Sequence, residues 1–214
     1  MMGSVKRPYD APLRRQQAEQ TRRRIVDAAA AEFTEHGWTG ATLAAIAARA
    51  GVTPQAVHLS VGGKAAVLVR AVEVAVAGDA EDVLLADRPS FSSVYAPDVS
   101  ARRRLKALAA ATADVYGRAA RLFLVLQDAA RSDPIAAGLA SAAADRRLAD
   151  FRQLAELLLP AGDEARMRWL SDAIWALAGP SPYVDLVHAR GWPPDRYAAW
   201  LAGQLEQAFR TAAR

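Results

Sequence analysis

Apolar residues recur at helical spacing through the first third of the chain. They follow the i, i+3, i+4, i+8 pattern of one helix face at Ile25, Ala28, Ala29 and Phe33. Gly37 predicts the end of this first helix. A second, short helix is predicted between an N-cap at Thr42 and a stop at Gly51, and a third starts at Pro54 behind the N-cap Thr53.

The pattern continues through the rest of the chain. A long fourth helix is predicted from Lys64 to about residue 86, and the Pro- and Ser-rich residues 86–100 indicate a loop. Later helices are expected near 105–116 and 122–129, from Asp133-Pro134 to Leu159, from Asp163 to Gly191 with an interruption at 179–182, and from Pro194 onward. The pattern thus predicts an all-α protein of about nine helices.

Composition supports the helical assignment and excludes several classes of function. Alanine accounts for 51 of the 214 residues, which favours helix over strand. The absence of cysteine removes disulfides, thiol nucleophiles and thiolate metal sites, and it fits a reducing, cytoplasmic environment. No apolar run approaches the roughly 18 residues that span a bilayer, so no membrane association is expected.

The excess positive charge lies in one region. Residues 1–75 hold ten basic and six acidic residues, whereas residues 76–214 hold 17 of each. Residues 1–20 contain two prolines and no apolar periodicity, so we interpret them as an extended, flexible basic arm. Concentrated positive charge suits a polyanionic partner, although a solubilising tail would have the same composition.

The second and third predicted helices meet the packing requirements of a helix-turn-helix. The fifth, ninth and fifteenth positions counted from Leu43 need a small residue, a glycine and a buried aliphatic side chain. Ala47, Gly51 and Val57 occupy these positions. The third helix would then face outward with Thr53, Pro54, Gln55, His58 and Leu59, as a recognition helix does in the major groove.

Residues 22–68 resemble the amino-terminal DNA-binding region of the TetR family of transcriptional regulators. The resemblance is carried by Gly37, Thr42, Ile46-Ala47, Ala50-Gly51-Val52 and Lys64. It implies a three-helix DNA-binding domain at 21–63 after the arm of 1–20. It further implies a connecting helix at 64–86 and a helical ligand-binding and dimerisation domain at 101–214.

This chain departs from the family pattern at several positions of the module. His58 stands where a phosphate-contacting Tyr is usual, and Val61 where a Phe is usual. Gly62-Gly63 replaces the common Pro-Ser or Pro-Asn before Lys64. The half-site preference of relatives therefore does not transfer to this chain.

The resemblance implies a homodimer that binds a palindromic operator through two successive major grooves about 34 Å apart. Thr42 and Lys64 are expected to bind phosphate, and Gln55 and Thr53 to reach base edges beside Pro54. His58 would contact phosphate or base in a pH-dependent way. A basic arm would follow the DNA backbone or minor groove through Arg14, Arg15, Arg22, Arg23 and Arg24.

The second domain is expected to hold a small-molecule cavity and a dimer interface. Candidate cavity residues are Tyr116, Phe123, Gln127, Phe151, Trp169 and Trp175. Aromatic residues at helical spacing also form ordinary cores, so either role is open for each. Residues 163–190 and 194–210 resemble the family's dimer-forming helices, and the alternative is that they pack within one monomer.

The expected function is a repressor that leaves its operator when a small, hydrophobic or amphipathic ligand binds. The alternatives are a transcriptional activator with the same module and a ligand-independent or architectural DNA-binding protein, whose second domain would be tightly packed. No catalytic constellation is present, so an enzyme is not expected. His36, His58 and His188 lack ligand spacing, so no metal and no cofactor are expected.

Overall fold

A computed structural model describes residues 11–77, 89–161 and 163–214 of the protein. Its α-helices are α1 (Ala11–Gly40), α2 (Leu43–Ala50), α3 (Pro54–Ser60), α4 (Lys64–Ala77), α5 (Pro89–Tyr95), α6 (Ala101–Ala129), α7 (Pro134–Leu158), α8 (Glu164–Leu177), α9 (Pro180–Tyr183) and α10 (Pro194–Ala212). A π-helical turn, Val184–Ala189, follows α9. The described ranges contain no strand, and the predicted all-α class is confirmed.

The first helix begins earlier than the sequence pattern indicates. Residues 11–20 are helical, so the predicted extended arm is wrong for that half of residues 1–20, and residues 1–10 lie outside the described residues. Residues 14–20 are exposed, and an exposed helical segment carries no apolar periodicity. Its Arg, Gln, Ala and Glu residues favour helix by intrinsic propensity instead.

Gly37 interrupts α1 as predicted. It adopts φ 66° and ψ −171°, a conformation that non-glycine residues rarely adopt, and the chain completes one more turn to Gly40. The break redirects the backbone toward α2. As a result, the helix-turn-helix packs across the second half of α1.

The predicted caps of α2 and α3 are confirmed. The hydroxyl oxygen of Thr42 accepts from the Ala45 amide at 3.1 Å, and that of Thr53 accepts from the Ala56 amide at 3.2 Å. Gly51 lies in the left-handed region at φ 68° between the two helices. Ala47 and Val57 are buried beneath the crossing, so the helix-turn-helix positions have the packing that the sequence predicts.

The core around the helix-turn-helix extends into the second half of the chain. Besides residues of α1 to α4, it contains the buried side chains Leu122, Leu126, Ala129 and Ala136. The first three belong to the end of α6 and the last to the start of α7. The helix-turn-helix region is therefore packed directly onto the carboxy-terminal part of the molecule.

Two predicted features of the middle of the chain are wrong. The expected loop at 86–100 contains α5, whose Phe91 and Val94 are buried at i, i+3 spacing. The buried Arg104 guanidinium donates to the Val94 carbonyl and, at 3.0 Å, to the Ala96 carbonyl. These bonds satisfy carbonyls at the end of α5 that have no helical partner, which explains why a Ser-rich segment is ordered there.

The helices expected near 105–116 and 122–129 form the single helix α6 instead. Gly117 lies between them, but it is an exposed helical residue with no change of backbone region. A lone glycine lowers helix stability without ending a helix. The predicted end of α4 near residue 86 lies outside the described residues, since α4 is described to Ala77.

The remaining helix boundaries follow the sequence signals. The Asp133 carboxylate caps α7 by accepting from two amides at 2.9 Å, and the Asp163 carboxylate caps α8 by accepting from the Arg166 amide at 2.9 Å. The helical pattern is interrupted at Gly179 and stops at Gly191, which has φ 69°. A second core forms as α10 packs on α6 and α8, with Tyr183, Tyr197, Leu201 and Leu205 fully buried or nearly so.

Candidate DNA-binding surface and ligand cavity

The third helix exposes the side chains expected at a recognition surface. Thr53, Pro54, Gln55 and His58 are exposed on α3, while Val57 anchors the opposite face in the core. Leu59 is the most exposed large apolar side chain of the described residues, at 79%. A leucine in that place offers an apolar contact to a thymine methyl group.

The two capping threonines lie at the start of their helices. Their hydroxyl oxygens each accept an amide hydrogen, which leaves the hydroxyl hydrogen of Thr42 and of Thr53 available to donate. Both residues are exposed. They therefore combine a structural role with the ability to donate to a phosphate oxygen.

Lys64 is more enclosed than a free phosphate-binding lysine. Its ammonium donates to the Trp38 carbonyl and lies 4.4 Å from the centre of the Trp38 ring. Burial lowers the pKa of this ammonium from its ordinary value, and the charge of Asp133 opposes the shift. Lys64 thus ties the start of α4 to the end of α1, a role that the sequence analysis missed.

The arginines of α1 are exposed. Arg22 lies 3.9 Å from Glu19, and Arg23 is exposed with no carboxylate within salt-bridge distance among the described residues. Arg14 and Arg15 are exposed about two turns earlier on the same helix. The predicted basic contacts are therefore presented by a helix rather than by an extended arm.

A carboxylate cluster orients α2 against α1. Arg49 donates to both carboxylate oxygens of Glu35, at 2.9 and 2.5 Å, and lies 3.4 Å from the buried Glu32. The Arg49 guanidinium holds the pKa of the Glu35 carboxyl below its usual range. His36 lies 3.7 Å from Glu35 and 3.9 Å from Glu32.

The oxygens and nitrogen of Glu32, Glu35 and His36 lie close enough together to bind a metal ion. Arg49 already supplies the positive charge at this cluster. The cluster therefore acts as a fixed link between α1 and α2. Sequence reasoning missed this link, because it requires four side chains from two helices at a register that spacing alone does not reveal.

A cavity of about 670 Å³ lies between α4, α6, α7, α8 and α9. This volume falls within the range of small-molecule sites, about 300–1,000 Å³. Its walls are largely apolar, and their members include Val72, Val76, Phe123, Leu126, Ala140, Trp175 and Pro182. The charged side chains in the walls are Arg70, Glu73, Arg146, Arg147 and Asp150.

The cavity brings together three of the six predicted ligand-site residues. Phe123, Gln127 and Trp175 line it. Tyr116, Phe151 and Trp169 do not line it. Tyr116 is buried behind the wall, Phe151 belongs to the second core, and Trp169 is 48% exposed on the surface of α8. Helical periodicity identifies a face but does not separate a cavity wall from a filled core.

Arg147 is the cavity-wall residue that the sequence pattern indicated least. Its Nη1 donates to the Tyr116 hydroxyl oxygen at 3.1 Å, and its guanidinium carbon lies 4.7 Å from the centre of the Trp175 ring. Tyr116 in turn donates to the Ala178 carbonyl at 3.0 Å. Burial raises the pKa of the Tyr116 hydroxyl, which keeps that group neutral and able to donate.

The other charged wall residues compensate one another in part. Arg70 lies 3.4 Å from Glu73 on α4. Burial raises the pKa of Asp150 above its ordinary value, and the nearby charge of Arg146 lowers it by a smaller amount. Asp150 also acts on Tyr95, whose pKa is raised to about 12, chiefly by burial.

The described helices thus combine a helix-turn-helix with a cavity of ligand size. Residues 25–71 match the model of the bacterial regulatory proteins of the tetR family. The match covers 47 of the 214 residues, so this part of the chain is similar to the tetR family of bacterial regulatory proteins.

Solved structures share the fold at low sequence identity. A protein from Pseudomonas aeruginosa PAO1, proposed to be a transcriptional regulator, is 18% identical with a TM-score of 0.71, over 92% of this chain and 93% of that one. A transcriptional regulator from Rhodococcus sp. Rha1 is 16% identical with a TM-score of 0.66, over 90% and 98% of the two chains. No curated protein matches the sequence. Within the described ranges no helix is long and apolar enough to cross a membrane.

Proposed function

We propose that the protein is a homodimeric repressor that leaves a palindromic operator when a small, amphipathic molecule fills its cavity. The observation that carries the proposal is the position of Leu126. This side chain belongs to the core of the helix-turn-helix region and also lines the cavity. A ligand at the cavity wall would therefore contact a residue that supports the DNA-binding helices.

The connecting helix provides a second route between the two sites. Val72, Val74, Val76 and Ala77 of α4 line the cavity, and α4 begins immediately after the recognition helix. Arg118 of α6 donates to the Ala75 carbonyl at 3.1 Å and so holds the far end of α4. A ligand that binds one placement of α4 better than another must change DNA affinity reciprocally.

The cavity favours a ligand-responsive regulator over the ligand-independent alternative. An architectural DNA-binding protein predicts a tightly packed second domain, and a 670 Å³ opening is far larger than the voids of an ordinary core. The domain boundaries, the dimer and the individual DNA contacts are parts of this same proposal. The contacts proposed for DNA are Thr42, Thr53, Pro54, Gln55, His58, Lys64, Arg22 and Arg23.

The test of DNA recognition begins by selecting bound duplexes from a random pool with the full chain. Gln55→Ala should relax the preference at one position of each half-site, since a glutamine can pair with adenine N6 and N7. Arg23→Gln should weaken all sequences alike and reduce the slope of log K against log salt by about one. Gln153→Ala, at an exposed site on α7, is the matched control.

Two outcomes would contradict the proposal. The first is a selection that yields no palindrome. The second is an operator affinity and salt slope that stay unchanged in both Gln55→Ala and Arg23→Gln. A reporter gene behind the selected operator then distinguishes a repressor from an activator, because deleting the regulator raises expression only in the first case.

A further inference from the structure

Arg147 places a positive charge in the cavity wall, next to apolar side chains. It lies on α7 and lines the cavity together with Phe123, Leu126 and Trp175. Its surroundings use only part of its hydrogen-bonding capacity: Nη1 donates to Tyr116, while Nε is buried and has no partner. A buried donor without an acceptor destabilises the folded state, because it has lost its bonds to water.

The charge of Arg147 also has no carboxylate partner among the residues that the structure describes. Within the ranges that the structure describes, no Asp or Glu oxygen lies within salt-bridge distance of its guanidinium. The neighbouring charges are otherwise engaged, since Glu73 faces Arg70 and Asp150 is held near Arg146. The neutral Tyr116 hydroxyl and the Trp175 ring orient the guanidinium without neutralising it.

A cationic ligand is less compatible with this wall. The Trp175 ring, which would be the natural contact for an organic cation, already has the Arg147 guanidinium 4.7 Å from its centre. Asp150, the remaining acid, has a pKa raised by burial and a basic neighbour in Arg146. A cationic ligand would therefore lie near Arg146 and Arg147, and Asp150 would be the carboxyl available to balance its charge.

We propose that Arg147 is the anion-recognising residue of the cavity, and that the effector is an organic acid with one carboxylate on an apolar body. The carboxylate pairs with the planar guanidinium, whose donors match its two oxygens, and the apolar body packs against Phe123, Leu126 and Trp175. The inference rests on the proposed ligand-responsive function. It adds the chemical class of the ligand and the residue that selects it.

The test compares molecules with the same body and different head groups. Decanoate is titrated against decanamide and decyltrimethylammonium, all below their aggregation limits. 2-Naphthylacetate is titrated against 2-naphthylacetamide in the same way. Binding to the full chain is measured by calorimetry at pH 7.5. We expect at least one acid to bind, and to bind at least about tenfold more tightly than its amide.

Three variants identify the residue responsible. Arg147→Gln should reduce the affinity of the acid to that of its amide and leave the affinity of the amide unchanged. Arg147→Lys retains the charge and should recover part of the preference. Arg152→Gln removes an exposed arginine of the same helix and should change nothing. Circular dichroism and thermal melts establish that each variant is folded.

The proposal is overturned if neither acid binds, if an amide or the ammonium compound binds as tightly, or if Arg147→Gln retains the acid preference. Operator release is measured separately on the same samples. Acid binding through Arg147 without release would contradict the induction mechanism and leave the ligand class standing. Operator release by a neutral or cationic compound alone would contradict the proposed ligand class and leave the induction mechanism standing.

Discussion

Single side chains in this protein often have two roles, and the sequence reveals mainly one of them. Thr42 and Thr53 were predictable as caps, because a threonine before a helical pattern has few other local uses. The pairing of Arg49 with Glu35 and the contact of Lys64 with Trp38 were not predictable, since both join residues that are distant along the chain. Local signals specify helix ends, whereas contacts between helices depend on register.

The same limit applies to the cavity. Phe123, Gln127 and Trp175 were expected at the cavity from the family resemblance, but Arg147 was not, because an arginine on an amphipathic helix usually faces solvent. Its partly buried position depends on the space left between the five helices that line the cavity.

Asp150 permits a prediction about pH. Burial raises the pKa of its carboxyl in the folded chain, so the unfolded chain loses the proton at lower pH and stability falls as the pH rises past the unfolded value. We expect Asp150→Asn to raise the thermal midpoint at pH 7. The increase in thermal midpoint should become smaller as the pH falls through the raised pKa of Asp150. It should disappear below the ordinary pKa of an Asp carboxyl.

Thermal melts between pH 3.5 and 7.5 measure this dependence. Asp145→Asn, at an exposed position of the same helix, is the control and should leave the midpoint unchanged. A lower midpoint for Asp150→Asn at pH 7 would mean that the ionised carboxylate stabilises the fold.

At the level of helices, the sequence located nearly every element that has a strong start or stop signal. Asp133-Pro134 and Asp163 mark helix starts that the structure has at those places, and Gly37 marks the kink inside α1. The errors concern α5 and α6, where a Pro- and Ser-rich segment is helical and an isolated glycine does not end a helix. In both cases tertiary packing outweighs a weak local preference.

Gly117 gives a direct test of the continuous α6. It is an exposed residue inside the helix, and an added Cβ would meet only the Tyr183 hydroxyl at 3.5 Å, an ordinary contact distance. Gly117→Ala should therefore increase the free energy of unfolding by about 0.5–1 kcal/mol, because alanine loses less backbone entropy in a helix. Denaturant titration measures the change.

The matched comparison is Gly51→Ala. Gly51 has φ 68°, so alanine there is strained and should destabilise the chain. If Gly117→Ala were destabilising as well, the helix would not pass through residue 117 in the way described.

At the scale of the whole molecule, the family resemblance predicted the general arrangement, and the structure adds how its parts meet. An all-α fold with a helix-turn-helix was predictable from periodicity and three packing positions. The cavity between five helices was not predictable from the sequence, because its position and size depend on how those helices cross. The dimer remains a prediction, and it has a clear consequence for α10.

The outward face of α10 presents Ala199 and Gly203, and no atom of the described residues lies within 4 Å of a Cβ added at Gly203. If this face forms the proposed interface, Gly203→Arg should leave each monomer folded but separate the subunits. The mass in solution should then fall from about twice 22.9 kDa to 22.9 kDa, and operator affinity should fall with it.

Light scattering after gel filtration measures the mass. Gly138→Arg, at an exposed glycine of α7, is the control and should remain dimeric. A monomeric parent chain, or a dimeric Gly203→Arg variant, would exclude this face as the interface.

The shared core also limits which fragments and chimeras of this protein can fold. Its members from α6 and α7 are Leu122, Leu126, Ala129 and Ala136. A fragment that ends at Ala77 would lack the α6 and α7 side chains that complete the core of the helix-turn-helix region. A chimera that joined helices α1 to α4 to the carboxy-terminal part of a related protein would pack them against side chains of a different sequence. An exchange of DNA specificity between relatives should therefore succeed only when the end of α6 and the first turn of α7 are transferred together with α1 to α4.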